Sequence, residues 1–113
     1  MEKAYSISIT DPKGLHNRPI GRLVDIGQSL SVFGVILRIE DPKGNTADFR
    51  SITTIMENIF VSRGECLRVI LSGPEDKIKD VDERSIRGAN EPFTHYLTEA
   101  LNDFAGKNSP SAY

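Results

Sequence analysis

The first clear period along the chain is two. Tyr5-Ser6-Ile7-Ser8-Ile9-Thr10 alternates apolar and polar residues, which predicts a strand with one buried face. Asp11-Pro12-Lys13-Gly14 closes it as a turn, with proline suited to the second position of a type I turn and glycine to a positive φ at its end. After His16 the period becomes helical. Ile20, Leu23, Val24, Gly27 and Leu30 share one face, with Arg22, Asp25 and Gln28 opposite. Pro19 fits a first helical turn, where its missing N–H has no intrahelical partner to lose. The helix is expected to start near Asn17, with His16 at its entrance.

Phe33, Val35, Leu37 and Ile39 alternate with Gly34, Ile36, Arg38 and Glu40 and predict a second strand. The turn tetrapeptide then recurs as Asp41-Pro42-Lys43-Gly44, followed by Asn45, and reads as a hairpin loop into a short third strand from Thr46 to Phe49. The segments after the two copies differ, so the repeat is reuse of turn chemistry. Ser51 stands at the N-cap position of a helical stripe made by Ile52, Ile55, Met56, Ile59 and Phe60. Gly64 follows, and Cys66 to Ser72 alternates again, with Leu67, Val69 and Leu71 facing inward. In residues 75–90 nine of sixteen residues are charged, and Ile78, Val81 and Ile86 support a short surface helix no better than a loop. Phe93, Tyr96, Leu97, Ala100, Leu101 and Phe104 form a last helical face ending at Gly106.

The predicted order is β-α-β-β-α-β followed by a helix. Four short strands and helices with one apolar face each point to an α+β fold, an antiparallel sheet covered on one side. Residues 1–106 are expected to form a single domain carrying a charged insertion at about 75–90, with 107–113 a flexible tail. The 113 residues are 38% hydrophobic and 27% charged with a net charge of −2, which removes any whole-protein electrostatic footprint for nucleic acid. No apolar run reaches the roughly 20 residues of a membrane span, and no secretory signal is visible at the N-terminus. A single cysteine excludes an internal disulfide and a zinc site built on paired cysteines; a reducing cytoplasm and a monomer are expected. Cys66 falls on the face away from the core and reads as a non-catalytic thiol.

His16 is the candidate chemistry. A helix start offers unpaired N–H groups and a partial positive charge, and so suits an anion. A neutral imidazole has a lone pair for attack at phosphorus, and an unperturbed ring titrates near about 6.5, so a large fraction is neutral in a cytoplasm. The N–H groups of Asn17 and Arg18 and the Arg18 guanidinium are placed to receive the charge of a phosphoryl group. The plain alternative is a polar loop residue capping the helix. His95 reads as solvated, no metal-ligand spacing is evident, and there is no glycine-rich nucleotide loop.

Gly14-Leu15-His16-Asn17-Arg18-Pro19 resembles the active-site loop of the HPr family, the histidine-containing phosphocarrier proteins of the phosphoenolpyruvate-dependent sugar phosphotransferase system. The usual loop there reads Gly-Leu-His-Ala-Arg-Pro, so five of six positions match. The resemblance runs from about Tyr5 to Gly73 and resumes in the closing helix. It implies an open-faced β-sandwich of four strands and three helices. It also implies that His16 is phosphorylated by enzyme I, that Arg18 is its electrostatic partner, and that an enzyme IIA-type protein accepts the group, without cofactor. By the same resemblance Ile20, Ile52 and Met56 would lie where partners dock, although core packing competes for each. Arg50-Ser51-Ile52 is similar to the Lys-Ser-Ile of members phosphorylated on serine, which brings an HPr kinase/phosphorylase or a transcription regulator into view; the competing role of Ser51 is an ordinary N-cap. Asn17 replaces the usual Ala. The alternative function is a non-catalytic regulatory module of the same fold, acting by docking and controlled at Ser51; a small ligand-binding sensor ranks behind it.

Overall fold

The computed structural model describes residues 1–50, 52–84 and 91–102, without the side chains of Ile52 and Arg84. Its elements are β1 (Glu2–Ser8), α1 (Asn17–Val32), β2 (Ile36–Glu40), β3 (Thr46–Asp48), α2 (Ile52–Asn58), β4 (Cys66–Ser72), α3 (Glu75–Arg84) and α4 (Phe93–Asn102). The four strands form one antiparallel sheet in the order β1-β4-β2-β3. β1-α1-β2 and β3-α2-β4 are therefore split β-α-β units, each crossing over a strand of the other. Among the described residues no helix is long and apolar enough to cross a membrane.

The strand period predicted from sequence sets the register. Tyr5 pairs with Val69, Val69 with Ile39 and Ile39 with Ala47, so one row of buried side chains crosses all four strands. Slipping any strand by one residue would turn its buried set to solvent. The other face keeps its charges, with Arg38 bonded to Glu2 at 3.0 Å and Arg68 to Glu40 at 2.9 Å. The helices cover the apolar face: Ile20, Leu23, Ile26 and Leu30 of α1, Ile55 of α2, Ile78 and Val81 of α3, and Phe93, Leu97 and Leu101 of α4 all join its core.

Three boundaries differ from the sequence reading. β1 spans residues 2–8 and Ile9 lies past its end, although Ile9 is fully buried and still exchanges hydrogen bonds with Gly64 and Glu65. Phe33 belongs to the end of α1, where it is the C-cap and 54% exposed. The cause is a Schellman turn. Gly34 takes φ +84, its N–H bonds the Ser31 carbonyl, and the Val35 N–H reaches back to Leu30. Lastly, most of the charged stretch after β4 is the helix α3. Its acids Glu75 and Asp76 sit in the first turn, where the helix dipole favours them. Asp82 ties it to β1 by accepting the Tyr5 hydroxyl at 2.8 Å. Burial, reinforced by that carboxylate, pushes the Tyr5 phenol far above its usual range. The predicted Phe104, Gly106 and tail 107–113 lie outside the described residues, as does Ser51.

Candidate functional site

The site is built on the first of the two Asp-Pro-Lys-Gly turns. Asp11 holds it closed twice: its carbonyl accepts the Gly14 N–H at 2.8 Å and its Oδ1 accepts the Lys13 N–H at 2.9 Å. Leu15 N–H then bonds the Val61 carbonyl at 2.9 Å, which ties the loop to the strand of chain entering β4. His16 follows with extended backbone (φ −134°, ψ −170°), and its carbonyl accepts the Ile20 N–H, the first bond of α1.

As the N-cap of α1, His16 makes no side-chain cap. Its ring turns to Asp11 instead, with Nε2 3.2 Å from Oδ2. The His16 side chain is 27% exposed and that of Asp11 15%. The hydrogen bond from Lys13, and after it the bond and charge of His16, hold the Asp11 carboxyl below the usual carboxylate range against the opposing effect of burial. His16 is thus the N-cap by its backbone alone, and its imidazole caps no N–H. Asn17 and Arg18 hold the first two positions of α1, whose N–H groups precede the first i→i−4 bond of any helix, and Pro19 has no N–H to offer. Both Asn17 and Arg18 are exposed.

A cleft of about 360 Å³ opens beside the ring. Lys13, Asn17 and Arg63 supply its polar border and Met56 and Phe60 its apolar one, with no carboxylate among the described lining residues. Met56 is 43% and Phe60 62% exposed, large apolar surfaces left next to the histidine. Ile20, expected at a docking surface, is only 2% exposed: it faces the core from the first turn and forms the floor of the cleft. The second Asp-Pro-Lys-Gly turn supports the far rim, since Asp41 Oδ2 accepts the Phe60 N–H at 3.2 Å. Burial would raise the Asp41 carboxyl, but bonds from Asn45, Phe60 and Lys43 together hold it below the usual range.

The family model described as the PTS HPr component phosphorylation site matches residues 4–81. The chain belongs to the HPr family. The HPr fold is shared with solved structures. A phosphocarrier protein HPr from Bacillus anthracis str. Ames aligns over 71% of this chain and 92% of its own, at 22% identity and a TM-score of 0.50. HPr-C-His from Thermoanaerobacter tengcongensis aligns over 88% and 94%, at 26% identity and a TM-score of 0.52. A mycoplasma histidine-containing phosphocarrier protein aligns over 88% and 98%, at 20% identity and a TM-score of 0.55. Among curated proteins no match was found. The HPr match ends inside α3, so the stretch expected as an insertion lies partly within it and α4 follows its end.

Two features away from His16 were not legible as such. Asn102, at the end of α4, is buried; its Oδ1 accepts the Thr10 N–H at 2.7 Å while its Nδ2 donates to the Ser8 and Thr98 carbonyls. It pins the end of β1 just before the turn that carries Asp11. Glu91, His95 and Glu99 bring three possible ligand atoms within 4.8 Å of one another, a spacing the sequence reading denied. His95 is exposed there and its Nδ1 lies 2.7 Å from Glu91 Oε2, a local contact between residues four apart that accounts for the grouping.

Proposed function

We propose that this protein is a cytoplasmic phosphoryl carrier of the phosphotransferase system, accepting a phosphoryl group on His16 from enzyme I and passing it to an enzyme IIA-type acceptor. It turns over no substrate alone. What carries the reading is the position of His16: an imidazole at the mouth of a helix, released from capping, beside a cleft bordered by Lys13 and Arg63. The incoming group brings roughly two negative charges, and the N–H groups of Asn17 and Arg18 are oriented by the helix to meet them. The Arg18 guanidinium adds a charge partner. Exposed Met56 and Phe60 give protein partners an apolar foothold next to the reacting ring, as transfer between two proteins requires.

Family membership supports the same reading. Incubation with enzyme I and labelled phosphoenolpyruvate should give an acid-labile, alkali-stable label on the wild type and none on His16→Ala. A wild type that stays unlabelled while a standard carrier is labelled in parallel would end the proposal.

A further inference from the structure

Resting on that reading, we propose that Asp11 is a positioning residue which keeps the proton of His16 on Nε2, presents Nδ1 as the nucleophile, and pairs with the ring as it becomes positive. The geometry comes first. Oδ1 of Asp11 is committed to the Lys13 N–H, and Oδ2 lies 3.2 Å from Nε2. An ionised carboxylate only accepts hydrogen bonds, so a neutral ring facing it must carry its proton on Nε2. The lone pair is then on Nδ1.

The identical tetrapeptide at Asp41 shows that the turn itself does not require this contact. There Oδ1 accepts the Lys43 and Asn45 N–H groups, and Oδ2 is taken by the Asn45 side chain and Phe60. Closing the turn thus uses one carboxylate oxygen in each copy, and only at Asp11 is the other turned to an imidazole.

In the transfer step the Nδ1 lone pair forms the N–P bond while the bond from phosphorus to the donor atom breaks, its electron pair leaving with the donor. No proton needs to move. With Nδ1 bonded to phosphorus and Nε2 still protonated, the ring carries a positive charge, and Asp11 lies against it. The same pairing keeps the ring a good leaving group for onward transfer, because it departs neutral. An orienting carboxylate behind a catalytic imidazole acts in this way in hydrolases.

Asp11→Asn is the discriminating variant. Its amide oxygen still accepts the Lys13 N–H, so the turn is retained, while Nδ2 now donates toward the ring. Nε2 must then accept, and the proton moves to Nδ1, where it blocks attack. Nitrogen-15 chemical shifts of the unphosphorylated protein should report the Nε2–H tautomer in the wild type and a shift toward Nδ1–H in Asp11→Asn. Phosphorylation by enzyme I should slow by about tenfold or more, less than for a fully buried orienting carboxylate because water reaches this pair. Asp11→Ser, whose hydroxyl can hold the turn but not reach the ring, should lose the tautomer bias without reversing it. Unchanged shifts and rate in a folded Asp11→Asn, or a wild type resting as Nδ1–H, would overturn the assignment. A wild type with the Nε2–H tautomer that enzyme I fails to label would instead refute the carrier reading and, with it, Nδ1 as nucleophile, while upholding Asp11 as the group that fixes the tautomer.

Discussion

Gly27→Ala tests the packing that holds α1, and with it His16, against the sheet. Gly27 sits in mid-helix, where helix propensity alone makes alanine better by about 1 kcal/mol. The structure predicts the opposite sign. A methyl group at position 27 would lie 2.3 Å from Phe49 Cβ and 2.4 Å from its Cγ. Carbon atoms in contact sit about 3.5–4.0 Å apart, so roughly 1.2 Å or more of movement is needed. Turning the phenyl ring does not supply it, because the clash is with the root of the side chain. Either α1 or the chain leaving β3, which carries the buried Phe49, must shift. Overpacking costs about 1–3 kcal/mol, and a clash with atoms this close to the backbone belongs near the upper end. Offset by propensity, the net loss is about 2 kcal/mol, a large share of the ~5–15 kcal/mol that holds a domain folded. Urea unfolding followed by circular dichroism should show a lower midpoint at unchanged slope. A Gly27→Ala protein as stable as the wild type, or more so, would refute the argument.

Two further predictions concern the elements that frame the site. Asp11 and Asp41 both have carboxyls held below their ordinary range. The unfolded chain therefore binds more protons than the native one in acid: their contribution is full above about pH 4 and is lost as pH falls through the lower folded-state values. Urea midpoints measured from about pH 7 down to pH 2 should fall steeply only below pH 4 and less steeply in Asp41→Asn; a midpoint indifferent to pH across that range would contradict this. Asn102→Ala strands the Thr10 N–H and the Ser8 carbonyl. At about 1–3 kcal/mol per stranded group it should cost about 2–6 kcal/mol and speed amide exchange at Thr10; a loss under about 0.5 kcal/mol would place it among ordinary surface changes.

The strands and the main helices could be read from the sequence because each buries one face, and burial imposes a period. Where two signals competed, the stronger-looking one misled. Alternation at Phe33, Val35, Leu37 and Ile39 suggested a strand from Phe33, yet Gly34 was itself the C′ signal of a helix ending one residue earlier. In α3 the apolar face comes down to Ile78 and Val81, one turn apart and surrounded by charge. Two positions are too few to outweigh that composition until the neighbouring α4 is known. Asn102 was hidden for the opposite reason: a polar residue on a helix reads as solvated unless the strand end it bonds is seen beside it.

The two Asp-Pro-Lys-Gly turns locate the limit of such reading. The tetrapeptide specifies the closure, and both copies place a backbone N–H two residues on against the aspartate. What the second oxygen does is decided by the residues that follow. Asn45 comes next in one copy and supplies a donor within the same loop, so Asp41 is bound locally before Phe60 adds to it. In the other copy Leu15 comes next and supplies no side-chain donor, and its N–H is drawn away to Val61. The first donor available to Asp11 is then the imidazole of His16, whose ring is free to turn because it does not cap α1. The family motif begins at Gly14, three residues after that aspartate. A reading centred on the motif finds His16 and passes over the carboxylate, although the difference between Leu15-His16 and Asn45-Thr46 was in the sequence all along.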